Sequence, residues 1–185
     1  SDMASLSSLT VGLADVSRLV HELQRERGAS TVYLGSKGKQ FRLELPQQRQ
    51  ATDERRRSAT SFLAEQRTTT KPGAYLTAIA AADDALSDLE RRRKLIDDLT
   101  LPATESSAYF TRAIAALLLV SSEIAKTSRQ NDVTAATAAY VAFMQGKERA
   151  GQERATGAAF LNSVRGWVDV DWPSLQTLWR QRAQA

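Results

Sequence analysis

Apolar residues recur at steps of three and four along most of this 185-residue chain, and no stretch of strict apolar–polar alternation interrupts them. That spacing lines side chains along one face of an α-helix and argues against half-buried strands. Val16, Val20, Leu23 and Leu34 mark one stripe. Tyr75, Ile79, Leu86, Leu89, Ile96 and Leu99 mark a second, and Phe110, Ile114, Leu117, Ser121 and Ile124 a third. Few aromatics (6%) and abundant alanine suit helices packed at close spacing.

Punctuation falls at helix-length intervals: "GSKG" (35–38), "TTTKPG" (68–73), "LTLPAT" (99–104), "SRQND" (128–132) and "GWVDVDWP" (166–173), where Asp171 is a good N-cap. The expected fold is all-α, an up-and-down antiparallel helical bundle with long core helices and a short terminal helix. Short connections make successive helices run in opposite directions. Residues 1–3 read as a cloning remnant and 4–185 as a single helical domain. The longest apolar run, "AIAALLLV" (113–120), reads as a core segment and is too short to cross a membrane.

Charge and residue types narrow the function. Twenty-five Lys and Arg against 21 Asp and Glu leave a mild excess of +4. The two "ERRR" runs (54–57 and 90–93) read as solvated helix faces, and neither carries the interleaved aromatics that nucleic-acid binding uses. Without cysteine there is no disulfide and no thiolate nucleophile. The single histidine, His21, flanks a stripe, and Asp83, Asp84, Asp97 and Asp98 lack an inward histidine for a di-metal bundle site. No enzyme activity, metal, cofactor or nucleic-acid partner is expected.

Two arginines break the pattern. The position after Leu23 on the first stripe is Arg27. In the fifth helix, Tyr140, Phe143, Lys147, Ala150, Arg154, Ala158 and Leu161 form an inward stripe that Lys147 and Arg154 interrupt. If the first helix starts near Ser5 and the fifth near Asn131, the two run parallel, and Arg27 and Arg154 fall within roughly 2 Å of one level at about 1.5 Å per residue. Two buried like charges require a negative partner. Three readings are open: an internal Arg–Glu network in which Glu26 and Glu153 clamp the opposite helix's arginine, a different register in which both arginines snorkel to water, or a bound anion held by the planar guanidinium forks. Lys147 adds a charge below Arg154, and Gly28 and Gly151 leave room beside the arginines.

At these residues the chain resembles the NIT domain, the nitrate- and nitrite-sensing module of bacterial receptors. The likeness rests on "LVHELQRERGASTVYLGSKG" (19–38), "LPQQRQATD" (45–53), "AYFTRAIAALL" (108–118) and above all "AYVAFMQGKERAGQERATGAAF" (139–160). The resemblance implies a helical ligand-binding bundle without catalysis, binding nitrate or nitrite through Arg27 of "ERG" and Arg154 of "GQER". Lys147, Gly28 and Gly151 complete the expected site, and Arg25 and Arg49 are the nearest candidates for further family arginines. It also implies a homodimer whose ligand-driven helix displacement reaches an output module. The full-length protein would be a membrane-anchored receptor with this domain periplasmic or extracellular, or else a cytoplasmic protein with an antitermination domain. The alternative is a structural or dimerising bundle with an internal Arg–Glu network and no anion.

Overall fold

The structure is a computed structural model that describes residues 2–129 and 141–154. Five α-helices, α1 (Asp2–Gly35), α2 (Glu44–Thr69), α3 (Ala74–Ser87), α4 (Leu89–Asp97) and α5 (Ala103–Arg129), are followed by a helical segment at 141–154. No strand occurs among the described residues. The all-α bundle expected from the stripes is the fold observed. The later half of the fifth helix, "GWVDVDWP" and the short terminal helix lie outside the described residues, as do Tyr140, Ala158 and Leu161.

Side-chain pairs give the helix directions. A Cβ on Gly12 of α1 would fall 2.1 Å from the Phe62 ring of α2, while Glu22 meets Gln48. Rising numbers on one helix pair with falling numbers on the other, so α1 and α2 are antiparallel. Tyr75 with Gln66, Arg56 with Glu90 and Arg49 with Asp97 set α2 antiparallel to α3 and α4 in the same way. Segment 141–154 instead runs parallel to α1, because His21, Gln24 and Arg27 meet Lys147, Glu148 and Gly151 in order. The alternation argument placed these two helices parallel, and they are.

The core is the sum of the apolar stripes. Val16, Leu19 and Leu23 of α1, Leu63 of α2, Ile79 of α3, and Phe110, Ile114 and Leu117 of α5 are all fully enclosed. Helix α5 packs against both α1 and α3. By length and composition Ala103–Thr127 passes for a membrane-crossing helix, yet more than half of its most apolar stretch is buried inside the bundle. It is a core helix of the bundle.

Helix ends follow local chemistry. After α1, Lys37 and Gly38 adopt the left-handed conformation, and the Gly38 and Lys37 amides close on the Tyr33 and Leu34 carbonyls. At the end of α4 the Leu99 and Thr100 amides do the same to Ile96 and Leu95, with Leu99 left-handed. Leu99 therefore turns outward and leaves the stripe that its spacing promised.

One expected helix is two. The run from 74 to 97 breaks at Asp88, where Ser87 Oγ bonds the Asp84 carbonyl and the Asp88 carboxylate accepts from Arg91 and Arg92 at 2.7–2.9 Å. Short polar side chains that bond locally compete with the helical ladder. The carbonyls at the break find other donors: Tyr109 Oη of α5 donates to Ala85 at 2.8 Å, and Arg56 of α2 to Leu86 at 2.9 Å. The Arg92 guanidinium also lies over the Tyr109 ring at 5.1 Å.

The hydrogen bonds from Arg91 and Arg92 hold the Asp88 carboxyl down to about 2. Its contribution to stability is therefore full above the ordinary carboxylate range and lost as pH falls through 2. Asp88→Asn should lower stability at pH 7 by no more than about 1 kcal/mol, as expected for a partly exposed ion pair. The difference from the parent should be mostly gone in melting curves at pH 2. A difference that persists there would show that the charge is not what holds the break.

Candidate functional site

Arg27 sits where the first stripe demands a leucine, and it is only 1% exposed. Its Nη1 donates to Glu148 Oε1 at 2.6 Å and to Thr111 Oγ1 of α5 at 3.1 Å. One guanidinium therefore ties α1 to both α5 and segment 141–154. Its Nε is buried and finds no acceptor among the described residues.

Glu148 is the negative partner that a buried arginine requires. It is 4% exposed, and its carboxylate also accepts from Gln152 at 2.8 Å and from Gln24 of α1 at 2.9 Å. With Arg27 that makes three donors on two oxygens.

Gly151 lies one turn beyond Glu148 and is buried. A Cβ built there would lie 2.9 Å from Arg27 Nη2 and 3.9 Å from Arg154 Nη2. The terminal nitrogens of the two arginines thus flank one point in space, over a backbone with no side chain. Arg154 is half-buried. Lys147 Nζ lies in hydrogen-bonding contact with His21 Nδ1, at the edge of the cluster. Burial and then the Arg154 charge push the Lys147 ammonium below its usual range; burial and then Lys147 do the same to His21. Among the described residues the buried Glu148 pairs with Arg27, while Lys147 and Arg154 lie beside that pair. Glu22 and Arg25 act on Lys147 with opposite signs and offset each other.

The expected site residues divide. Arg27, Arg154, Lys147 and Gly151 come together. Gly28 does not: a Cβ there would meet nothing within 4 Å, because residue 28 faces about 100° away from Arg27. Arg25 is exposed, as expected, and Arg49 bonds Asp97 at 2.7 Å on the far side of α1. The inward stripe of the fifth helix is corrected by one position. Val141, Met144, Glu148 and Gly151 are buried, while Phe143 is 67% exposed and Lys147, Ala150 and Arg154 lie on the flank.

A second buried network went unread in the sequence. Glu26, fully enclosed, does clamp an arginine of another helix, but that arginine is Arg93 of α4, at 2.7 Å. Arg93 is 5% exposed and also pairs with Asp53 at 2.7 Å, so the second "ERRR" run is not a solvated face throughout. The spacing held the signal, since Leu86, Leu89, Arg93 and Ile96 step by three, four and three. Burial pushes the Glu26 carboxyl up, against the pull of Arg93. Glu153, the other expected clamp, is exposed.

Comparisons with known proteins agree with the helical fold. A family model described as nitrate and nitrite sensing, NIT, matches residues 18–183. A nitrate regulatory protein from Klebsiella oxytoca is 36% identical over 153 residues, which is 82% of this chain and 37% of that protein. The solved structure of the NasR transcription antiterminator superposes with a TM-score of 0.82 at 32% identity, over 86% of this chain and 43% of the other. The chain thus spans about two-fifths of the length of each.

The two glycines give opposite expectations. Gly28→Ala gains helix propensity without a clash and should stabilise the fold by about 1 kcal/mol. Gly151→Ala gains the same propensity but drives a methyl to 2.9 Å from Arg27 Nη2, so it should not stabilise. Melting temperatures of the two variants, measured side by side, check this. Equal gains would mean that Arg27 does not lie against Gly151.

Proposed function

The chain belongs to the nitrate- and nitrite-sensing NIT family, and on that premise we propose that it binds one nitrate or nitrite ion between Arg27 and Arg154, over Gly151. One observation carries the reading: two guanidinium groups from parallel helices flank a single point on a bare stretch of backbone. A planar oxyanion matches the paired donors of a guanidinium fork, and a buried site rewards the weak hydration of such an ion. Lys147 adds field from the flank. A cleft of about 280 Å³ between α1, α2 and segment 141–154 reaches Lys147, His21 and Gln24, and gives solvent a route to the cluster's edge.

The ligand acts by neutralising charge that exists only while the two helices lie together. A ligand shifts an equilibrium by its differential affinity for two states, and here that difference is the loss of the facing arginine when the helices part. Nitrate therefore favours the closed arrangement of α1 and segment 141–154, and the resulting displacement of one helix against the other is the signal passed on. The activity is binding alone. The relatives are named a nitrate regulatory protein and a transcription antiterminator. Neither name is that of a chemoreceptor, sensor kinase or membrane receptor, so the output in this reading is a regulatory module of their kind. The alternative of a purely structural bundle with internal Arg–Glu pairs draws support from Arg93 with Glu26 and Asp53, where carboxylates match or outnumber cations. It does not explain why two guanidinium groups meet over Gly151.

Calorimetry and thermal melting with nitrate, nitrite and chloride test the proposal. Nitrate or nitrite at a hundredfold excess over its dissociation constant should add about 2.7 kcal/mol of stability, with little effect from chloride. Arg154→Ala, at a half-buried position, should keep the fold and weaken binding at least tenfold. Nitrate acting no differently from chloride would overturn the assignment.

A further inference from the structure

The Arg27 guanidinium carries its N–H donors in one fixed plane, and its hydrogen bonds among the described residues all leave from one nitrogen. Nη1 donates to Glu148 Oε1 at 2.6 Å and to Thr111 Oγ1 at 3.1 Å, an acceptor for each of its two hydrogens. Nη2 faces Gly151, and Nε is buried with no acceptor among the described residues. These two nitrogens share an edge. Nη1 lies on the Cδ side of the group, so the Nε–H and one N–H of Nη2 run parallel along the opposite side. That edge can grip two oxygens of a planar anion at once. We propose that Arg27 takes its anion side-on, through Nε and Nη2, and that Thr111 is the positioning residue that keeps this edge aimed. The inference rests on the binding reading above and adds the ligand shape that the site selects.

A buried N–H without an acceptor is uncommon, because the group has lost its water and found no replacement. Here the fold supplies acceptors to the other side of the same guanidinium. A single bond at Nη1 would set a direction but leave the plane free to turn about it. Two acceptors from different helices, Glu148 of segment 141–154 and Thr111 of α5, set the plane as well. Gln24 and Gln152 hold the Glu148 carboxylate in turn. The edge therefore cannot swing to follow a ligand, and the ligand must fit the edge. Nitrate and nitrite each present two oxygens in one plane, as two parallel N–H groups require. Thiocyanate has the same charge and similarly weak hydration, but it is a rod with its acceptors at the ends. It can satisfy one donor of the edge and not both. This role also accounts for a polar residue in "AYFTRAIAALL" (108–118), where the neighbouring Phe110 and Ile114 fill the core.

The test compares nitrate with thiocyanate on the full chain. Calorimetry should show the parent binding nitrate at least tenfold more tightly than thiocyanate. In an NMR titration the Arg27 Nε proton, assigned through its own side chain, should move downfield with nitrate and stay in place with thiocyanate. Thr111→Val keeps the side-chain shape but removes the acceptor; it should weaken nitrate at least fivefold and leave thiocyanate unchanged. Thr111→Ser restores the acceptor and should return nitrate binding to within twofold of the parent. If the valine variant fails to fold, the titration of the parent decides. Nitrate binding that leaves the Nε proton unmoved overturns the inference while the binding reading stands. So does a valine variant that binds nitrate as the parent does, or that loses nitrate and thiocyanate alike, since the latter is what a merely structural Thr111 would give. A parent that binds neither ion overturns both.

Discussion

The structure depends on one buried ion pair, Arg27 with Glu148. Removing either partner leaves a charge with almost no access to water, at a cost of several kcal/mol. That sum is comparable with the whole stability of a domain of this size. The pair decides which face of segment 141–154 turns inward, since Glu148 must reach Arg27 while Val141 and Met144 fill the core on the turns before it. It also fixes the parallel register with α1 that brings Gly151 and Arg154 to the same level as Arg27. A leucine at 27 would fill space as well but would impose no register.

Adjacent residues on α1 serve two different networks. Glu26 and Arg27 project about 100° apart on the helix, so one grips Arg93 of α4 while the other grips Glu148 and Thr111. The networks differ in composition. Around Arg93 stand Glu26, Asp53 and the more exposed Glu90. Around Arg27 stand Glu148, Thr111 and, over Gly151, the Arg154 guanidinium. The first network locks α1 to the α2 and α4 layer; the second ties it to α5 and segment 141–154.

Much of this was legible in the sequence because burial imposes a period. The first-helix stripe places Arg27 inside without any structural knowledge, and the glycine and proline marks fix the ends of α1 and α2 and the start of α5 to within a few residues. What escaped did so for physical reasons. The break at Asp88 is a competition between local side-chain bonds and the helical ladder, and no apolar residue marks it. Arg93 fits the stripe between Leu89 and Ile96, but a run of three arginines resembles a solvated face unless each position is phased separately. On the fifth helix, Tyr140 and Phe143 suggested the wrong phase. Large aromatics dominate a stripe drawn by eye, whereas the buried line runs through Val141, Met144 and Gly151, with a glutamate among them. Glu148 could have been found by asking which carboxylate shares a phase with two small or apolar neighbours.

The asymmetry between the two networks bears on how a sensor of this design can signal. Closely packed cores do not deform by degrees, so a small ligand moves helices only where the packing has two states of similar energy. On the α2 and α4 side, Arg93 makes five charge-assisted hydrogen bonds to carboxylates on three helices, and separating them would strand several buried charges at once. On the other side, separating segment 141–154 from α1 would strand Arg27 and Glu148 but part Arg27 from Lys147 and Arg154. In the proposed binding reading an anion over Gly151 acts on that balance, with α1, held by Glu26 on its opposite face, as the fixed side of the contact.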